Sequence, residues 1–509
     1  LFPLIGIIFL LKILNKIHKC RILVYFPKNS KNSIDLLKTI IKILFRFKTL
    51  LIYLVHGATP HIIISSTATK SLAKLKFDKI ICNINTKDDL LNLKLENIEV
   101  GDLFYDNYTR FNASHTIEVN EKFRQVLFEY FIEFYYWFNF FNKFDIKSVL
   151  TSHAVYNLAI PLRIAQSKKI PGYIASINFI EYFDISRKNI FQSSYRNSFK
   201  FLNNEEKKKA LSLSKMLLED RFKGILNSSE FSGYGSNHDK RKNLSKKALN
   251  TFGKKNTIKK IFKKNGKPNI LIMAHCFYDA PHGGGKFLFV DFYEWVKHLG
   301  ELSNKLDFNW YIKKHPHSAE QVLNNKVIEN ILAIYPNLNL LDEGVSNNEI
   351  INDGVSLILT VHGSAGYEFS YHSIPVILAS NQTAYENYDI CYQPSSVKEY
   401  DDIIKNFSKI NFSYNKKEIY RYYYNIYLAF WELIPMQEYY KIKNIVKDEY
   451  NFRMNFLSQE NALLKYLRSE FTEKKISEKL LEVENFIKKN DYRIISRNNI
   501  NKEFEVDKN

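Results

Sequence analysis

Cysteine is scarce in this chain of 509 residues: there are four, Cys20, Cys82, Cys276 and Cys391. No two of them form a C-x-x-C, which excludes a disulfide framework and a zinc knuckle and fits a reducing cytoplasm. Long apolar runs are also lacking. Residues 1–11 are apolar apart from Pro3 and Gly6, but a spanning helix takes about 20 such residues. The run reads as a buried first strand or helix. The chain opens on Leu1 rather than Met, as it would if an N-terminal piece were missing, and a truncated anchor is the alternative reading. There is no internal repeat of solenoid period and no recognisable nucleic-acid module, so nucleic acid is not an expected partner.

What is abundant is apolar and aromatic: 45% of residues are hydrophobic, with 39 Phe and 33 Tyr. That excludes a disordered chain. The length suits two domains of roughly 200 residues each with additions. The formal net charge is +20, which favours anions such as a membrane surface, an acidic glycan or a nucleotide. The lysines are scattered rather than striped, so a solvated surface is the plainer reading.

Short apolar runs alternate with amphipathic ones in the first half. Strands are expected at 21–26, 50–55, 61–65, 79–84, 147–151 and 172–175, and helices at 34–47 and 157–167, giving a parallel sheet covered on both faces. Residues 118–144 read as one long helix that is aromatic on nearly every side, hence buried or against lipid. Residues 237–267 are rich in Lys and Asn and end in a turn signal, marking a linker. A second alternating series follows, with strands at 269–274, 308–313, 338–341, 355–361 and 375–379. Its helices are expected at 287–302, 319–335 and 364–372, and Ser346 to Glu349 is a capping box opening another. From about Ser396 the pattern is helical. The expected domains are therefore 1–236, a linker at 237–267, a second doubly wound domain at 268–395 and a helical extension at 396–509.

Ligands of doubly wound sheets bind at the carboxyl ends of the strands, so the loops after the second series carry the candidate chemistry. The first, residues 275–286, holds His275, Asp279, His282, Gly284 and Lys286. Its three glycines let backbone N–H groups approach a phosphate, though it is neither a Walker A nor a G-x-G-x-x-G motif. The second holds Lys313 and His315, suited at a strand end to neutralise a diphosphate, and Pro316, which turns the chain there. The third, residues 362–368, holds Gly363, Ser364 and Glu368. Small residues open a helix whose N-terminus can receive phosphate oxygens, and Glu368 lies one turn in, placed to accept ribose hydroxyls. The plain alternatives are a flexible turn, a strand-ending turn, and an N-cap with a dipole-favoured carboxylate.

Lys313, His315-Pro316, Gly363, Gly366, Glu368 and Pro375-Val376 together resemble the capsule polysaccharide biosynthesis family, which includes capsular Kdo transferases and is more distantly similar to polyol-phosphate polymerases. Residues 100–106 with Arg110, and Ser152-His153 with Tyr156 and Arg163, resemble its first-lobe segments. Phe369 and Ser373 stand where the family often has Ala and Gly. The resemblance implies a two-lobed GT-B fold of two Rossmann-like domains. It also implies a nucleotide-sugar donor held mainly by the second lobe and a glycan or lipid-linked acceptor held by the first.

The chain contains no D-x-D, the carboxylate pair that the other large glycosyltransferase class uses to hold a metal. No metal and no cofactor beyond the nucleotide-sugar substrate are therefore expected. Lys313, His315 and the Ser364 helix terminus would stabilise the leaving phosphate. Asp106 and His153 are the candidate bases for the acceptor hydroxyl. A bacterial cytoplasmic enzyme follows, peripheral on the inner membrane beside the polysaccharide export machinery. An epimerase or polyol-phosphate transferase on the same fold, or a non-catalytic glycan-assembly protein, are the alternatives.

Overall fold

A computed structural model describes residues 15–17, 19–25, 54, 57–61, 63, 65–176, 179–183, 197–223, 260–315, 321–342, 345–410, 412, 414–429 and 473–489. The chain divides into two compact units that interleave in sequence. The first comprises Leu1–Phe104, Val119–Arg187 and Phe430–Ser496; the second comprises Tyr105–Glu118, Lys188–Ala429 and Arg497–Asn509. The expected first domain, 1–236, therefore gives up two pieces to the second unit. The expected helix at 34–47 and most of the strand at 50–55 and of the linker lie outside the described residues.

In the first unit, β1 (Ile22–Tyr25) and β2 (Ala58–His61) pair in parallel. The hairpin strands β3 (Lys94–Leu95) and β4 (Ile98–Glu99) follow. A three-stranded sheet holds β5 (Val149–Thr151), β6 (Gly172–Ser176) and β7 (Phe179–Tyr182), and β7 runs antiparallel to β6. A single doubly wound parallel sheet is thus not what the described residues of this unit form. Of the described residues in the strand expected at 61–65, only His61 lies in a strand, as the last residue of β2. The strand expected at 79–84 is instead the end of α1 (Thr67–Ile80) and a 3-10 turn. Ser66 caps α1 by accepting from Thr69 N, and the Ile80-Ile81 run is too short to tell strand from helix end.

Helix α2 (Lys87–Leu91), capped by Thr86, and α3 (Gly101–Phe111) precede α4 (Glu121–Lys143), the long aromatic helix. Asn120 Oδ1 accepts from Phe123 N at 3.0 Å and starts α4. Its burial is within the unit: Phe77 of α1 meets Phe128 and Phe131 edge-on, each at 5.2 Å, and α5 (Ile160–Ser167) packs beside it. Among the described residues no helix is long and apolar enough to cross a membrane.

The second unit is organised by five parallel strands in the order β11-β10-β8-β12-β13. These are β8 (Asn269–Met273), β10 (Asn309–Lys313), β11 (Leu338–Leu340), β12 (Leu357–Thr360) and β13 (Val376–Leu378). Short strands β9 (Lys286–Phe287) and β14 (Ser380–Asn381) form a separate antiparallel pair. Period-two alternation sends neighbours to opposite faces. Leu271, Tyr311, Ile358 and Val376 enter one core with α6 (Asn204–Phe222), α9 (Asn347–Asn352), α10 (Ala365–Tyr371) and α12 (Lys416–Tyr423). Ile270, Ile272, Trp310, Ile312, Leu357 and Leu359 enter the other with α7 (Phe292–Ser303), α8 (Gln321–Ile334) and α11 (Val397–Asn406). Each such side chain contributes about 1.5–3 kcal/mol on burial. The helix expected from 287 begins only at Phe292, because Asp291 caps it by accepting from Glu294 N at 2.8 Å.

The order of this sheet places a topological switch between β8 and β12. The chain winds outward from β8 through β10 and β11, then returns to the other side of β8 for β12 and β13. The loops leaving β8 and β12 therefore part company, and the crevice between them is where ligands enter such sheets.

Candidate functional site

Three histidines meet at this switch point. His275 follows β8, His362 follows β12 and His315 follows β10. The His275 ring lies 4.6 Å from that of His362 and 6.4 Å from that of His315, centroid to centroid. His275 also stacks on Phe292 at 4.8 Å, and its Nε2 is 3.3 Å from Thr360 Oγ1. Gly284 permits the approach of the loop: a Cβ built there would stand 2.8 Å from the His362 ring. Gly363 has φ +102°, the left-handed region that favours glycine.

Burial, with the neighbouring His362 and His315, pulls the His275 pKa well below its ordinary value. Burial lowers that of His362 to about 4, with Asp279 opposing and His315 assisting. Both rings are neutral at neutral pH, so they offer hydrogen bonds rather than charge. His362 Nδ1 is buried without a hydrogen-bond partner among the described residues.

Lys313 and Glu368 do not face this crevice. Lys313 is buried and its Nζ donates to Asn347 Oδ1 at 2.8 Å. Asn347 Nδ2 donates to Glu368 Oε2 at 3.1 Å, and Arg221 Nη2 pairs with Glu368 Oε1. Glu368 is 1% exposed, with both oxygens engaged by protein donors. Burial lowers the Lys313 pKa to about 8 despite Glu368 and Glu349. The expected ribose-gripping and phosphate-neutralising side chains are thus members of one internal network. Ser364 also differs from the N-cap reading: its backbone is helical and its side chain makes no capping hydrogen bond.

Asp106 stands on α3 rather than in a loop, and belongs to the second unit. Its Oδ1 is 2.5 Å from His282 Nδ1, and it is 1% exposed. Tyr105 meets the His282 ring edge-on at 5.2 Å. Tyr105 OH and Thr116 Oγ1 each donate to Asp291 Oδ2 at 2.5 Å. His153 lies in the first unit, exposed, with Nδ1 2.8 Å from Ser152 Oγ.

Asp279 is exposed and its Oδ1 accepts from Ala280 N at 3.0 Å. Lys286 lines a polar cavity of about 760 Å³ with Asn381, Gln382, Glu386, Asp389 and Gln393. Among the described residues no set of three His, Cys, Asp or Glu side chains is placed to hold a metal ion.

Sequence reading placed His282 and His362 in candidate loops without giving either a role, and passed over Arg221 and Asn347. His282 had a signal, sitting between Pro281 and Gly283 in the loop already singled out. Arg221 had none, being one more cation near a helix end.

No known family profile matches the chain, and no curated protein matches it in sequence. A solved structure of Thermosulfurimonas dismutans KpsC, a beta Kdo 2,4 transferase, is similar at a TM-score of 0.32 and 12% identity. The match covers 55% of this chain and 79% of that one. At that score the likeness establishes neither fold nor activity for this chain.

Proposed function

We propose that this protein is a GT-B glycosyltransferase that moves a sugar from a nucleotide-sugar donor to a hydroxyl of a surface glycan of capsular or lipopolysaccharide type. The observation that carries the reading is the convergence of His275, His315 and His362 with Gly284 at the switch point of a parallel sheet. Neutral imidazoles beside glycine backbone can donate hydrogen bonds to a diphosphate, and Lys314, next to His315, can add charge. The polar cavity beside Lys286 offers amides and carboxylates that suit sugar hydroxyls. The motif resemblance around Lys313–His315 and Gly363–Glu368 points the same way, with Lys313 and Glu368 recast as supports that position the loops. Metal independence is part of the reading, motivated by the missing D-x-D. So is peripheral contact with an anionic membrane face, motivated by the net charge of +20.

The test is a panel of nucleotide sugars, cytidine-linked ones first, screened for thermal stabilisation, since a ligand bound only by the folded state raises stability by mass action. At least one donor is expected to raise the melting temperature. A flat response across the panel contradicts the reading and leaves a glycan-assembly role without donor turnover.

A further inference from the structure

We propose that His282 is the proton acceptor of this site, acting on the hydroxyl of a sugar or polyol, and that Asp106 is the positioning residue that sets its tautomer. The proposal rests on the glycosyl-transfer reading and deepens it. Asp106 is buried and its Oδ1 lies 2.5 Å from His282 Nδ1. A carboxylate can only accept, so Nδ1 carries the proton and Nε2, on the opposite edge of the ring, keeps its lone pair. A carboxylate that orients an imidazole and stabilises its protonated form is the recurring device of hydroxyl activation.

The placement suits that task. His282 is two residues from Gly284, whose missing Cβ accommodates the His362 ring, and two residues reach at most about 7 Å. The ring is held from a second side by Tyr105, edge-on at 5.2 Å. Tyr105 is fixed in turn by Asp291, the cap of α7, which also receives Thr116 Oγ1.

A purely structural pair is the competing account, in which Asp106 and His282 fasten the 105–118 segment to the loop. That segment is already fastened by the Tyr105 and Thr116 bonds to Asp291, by Arg110 Nη1 to Tyr278 O at 3.4 Å, and by His115 against Tyr293 at 4.6 Å. A single carboxylate–imidazole hydrogen bond adds only modest net stability to such contacts. At the switch point His275 and His362 are poorly suited to accept a proton, because desolvation disfavours their charged forms. His282, with the Asp106 carboxylate behind it, is equipped to hold positive charge.

In the step proposed, the acceptor oxygen bonds to the anomeric carbon of the donor as its proton passes to His282 Nε2. The bond from that carbon to the leaving phosphate oxygen breaks, and its electron pair stays with the phosphate. The imidazolium formed is stabilised by Asp106 and later releases its proton to water.

The experiment measures nucleotide release from the nucleotide-sugar panel with water as acceptor, in wild type, His282→Gln, His282→Ala and Asp106→Asn. The histidine side chains are also labelled with ¹⁵N, the His282 signal being the one lost in His282→Gln. Expected are a fall in kcat of about 10²–10⁴-fold in His282→Gln, with donor KM within threefold, and at least tenfold recovery of His282→Ala by added imidazole. The Nδ1-protonated tautomer is expected in wild type and a tautomer mixture in Asp106→Asn. Release by His282→Gln within threefold of wild type, a loss that imidazole does not reverse, or an Nε2-protonated ring in wild type overturns the proposal while glycosyl transfer stands. No release by wild type from any donor overturns both.

Discussion

Two polar clusters sit at the carboxyl end of the same sheet, and they are built on opposite plans. Behind the sheet, Arg221, Glu368, Asn347 and Lys313 form a chain of ion pair and hydrogen bonds in which each member meets another. At the switch point, His275, His315 and His362 gather as aromatic rings, and the buried His362 Nδ1 is left without a partner among the described residues. Side chains tied to one another by an ion pair and hydrogen bonds specify a backbone, whereas imidazole rings gathered at a switch point suit an incoming ligand. Both contain residues of one sequence motif, so the motif alone does not separate support from site.

The comparison breaks most sharply at Arg221. Arg221→Met strands the Glu368 carboxylate in the core, which costs about 3–5 kcal/mol. Replacing both residues by Met and Leu is expected to restore most of that loss, as measured by denaturant unfolding of the two variants. Equal destabilisation by the single and double variants would show that volume, not charge, matters there.

Next comes Gly284→Ala in the other cluster. The new Cβ would stand 2.8 Å from the His362 ring, and overpacking of this kind costs about 1–3 kcal/mol. Nucleotide affinity is expected to fall at least tenfold by calorimetric titration, whereas Arg221→Met at a temperature where it is folded keeps affinity within a few fold. Reversed sensitivities would exchange the roles of the two clusters.

Acid sensitivity gives a smaller effect with a definite sign. His362 has a folded pKa of about 4 against an ordinary 6.5. Between those values the unfolded chain binds a proton that the folded protein does not. Stability is therefore present above about 6.5 and is lost as pH falls toward 4. His275 is shifted in the same direction by burial. In His362→Phe the drop in melting temperature between pH 7 and pH 5 is expected to shrink by a few degrees. An unchanged drop would mean the ring is protonated in the folded state.

The smallest effects separate two serines. Ser346 accepts from Glu349 N at 3.2 Å within a capping box, so Ser346→Ala costs about 1 kcal/mol. Ser364 makes no capping bond, so Ser364→Ala stays within about 0.5 kcal/mol. Thermal melts of the two variants decide it, and equal losses would restore the capping role read from sequence.

The second unit was legible where strands are continuous apolar runs long enough to be unambiguous, as in residues 269–273, 309–313 and 357–360. The capping box at Ser346 was legible because both of its members are local. Two-residue β9 carries no periodicity to read, which is why α7 was drawn too long at its start. The switch-point loops were found because strand ends focus chemistry. The partners within and behind them were not, since Asp106 and His282 are 176 residues apart and Arg221 and Glu368 are 147 apart. Glu368 illustrates the limit: its place one turn into a helix was read correctly, but which face of the sheet that helix covers is decided by packing against α6 and α12, which no local pattern shows.

Donor turnover tests the central claim most directly. Wild type and His315→Ala are incubated with the nucleotide-sugar panel, and released nucleotide is quantified with and without a chelator. Release from at least one donor is expected in wild type, unaffected by the chelator and lowered at least tenfold in a folded His315→Ala. No release from any donor, or release that His315→Ala matches, would contradict the assignment of the histidine crevice as the site of glycosyl transfer.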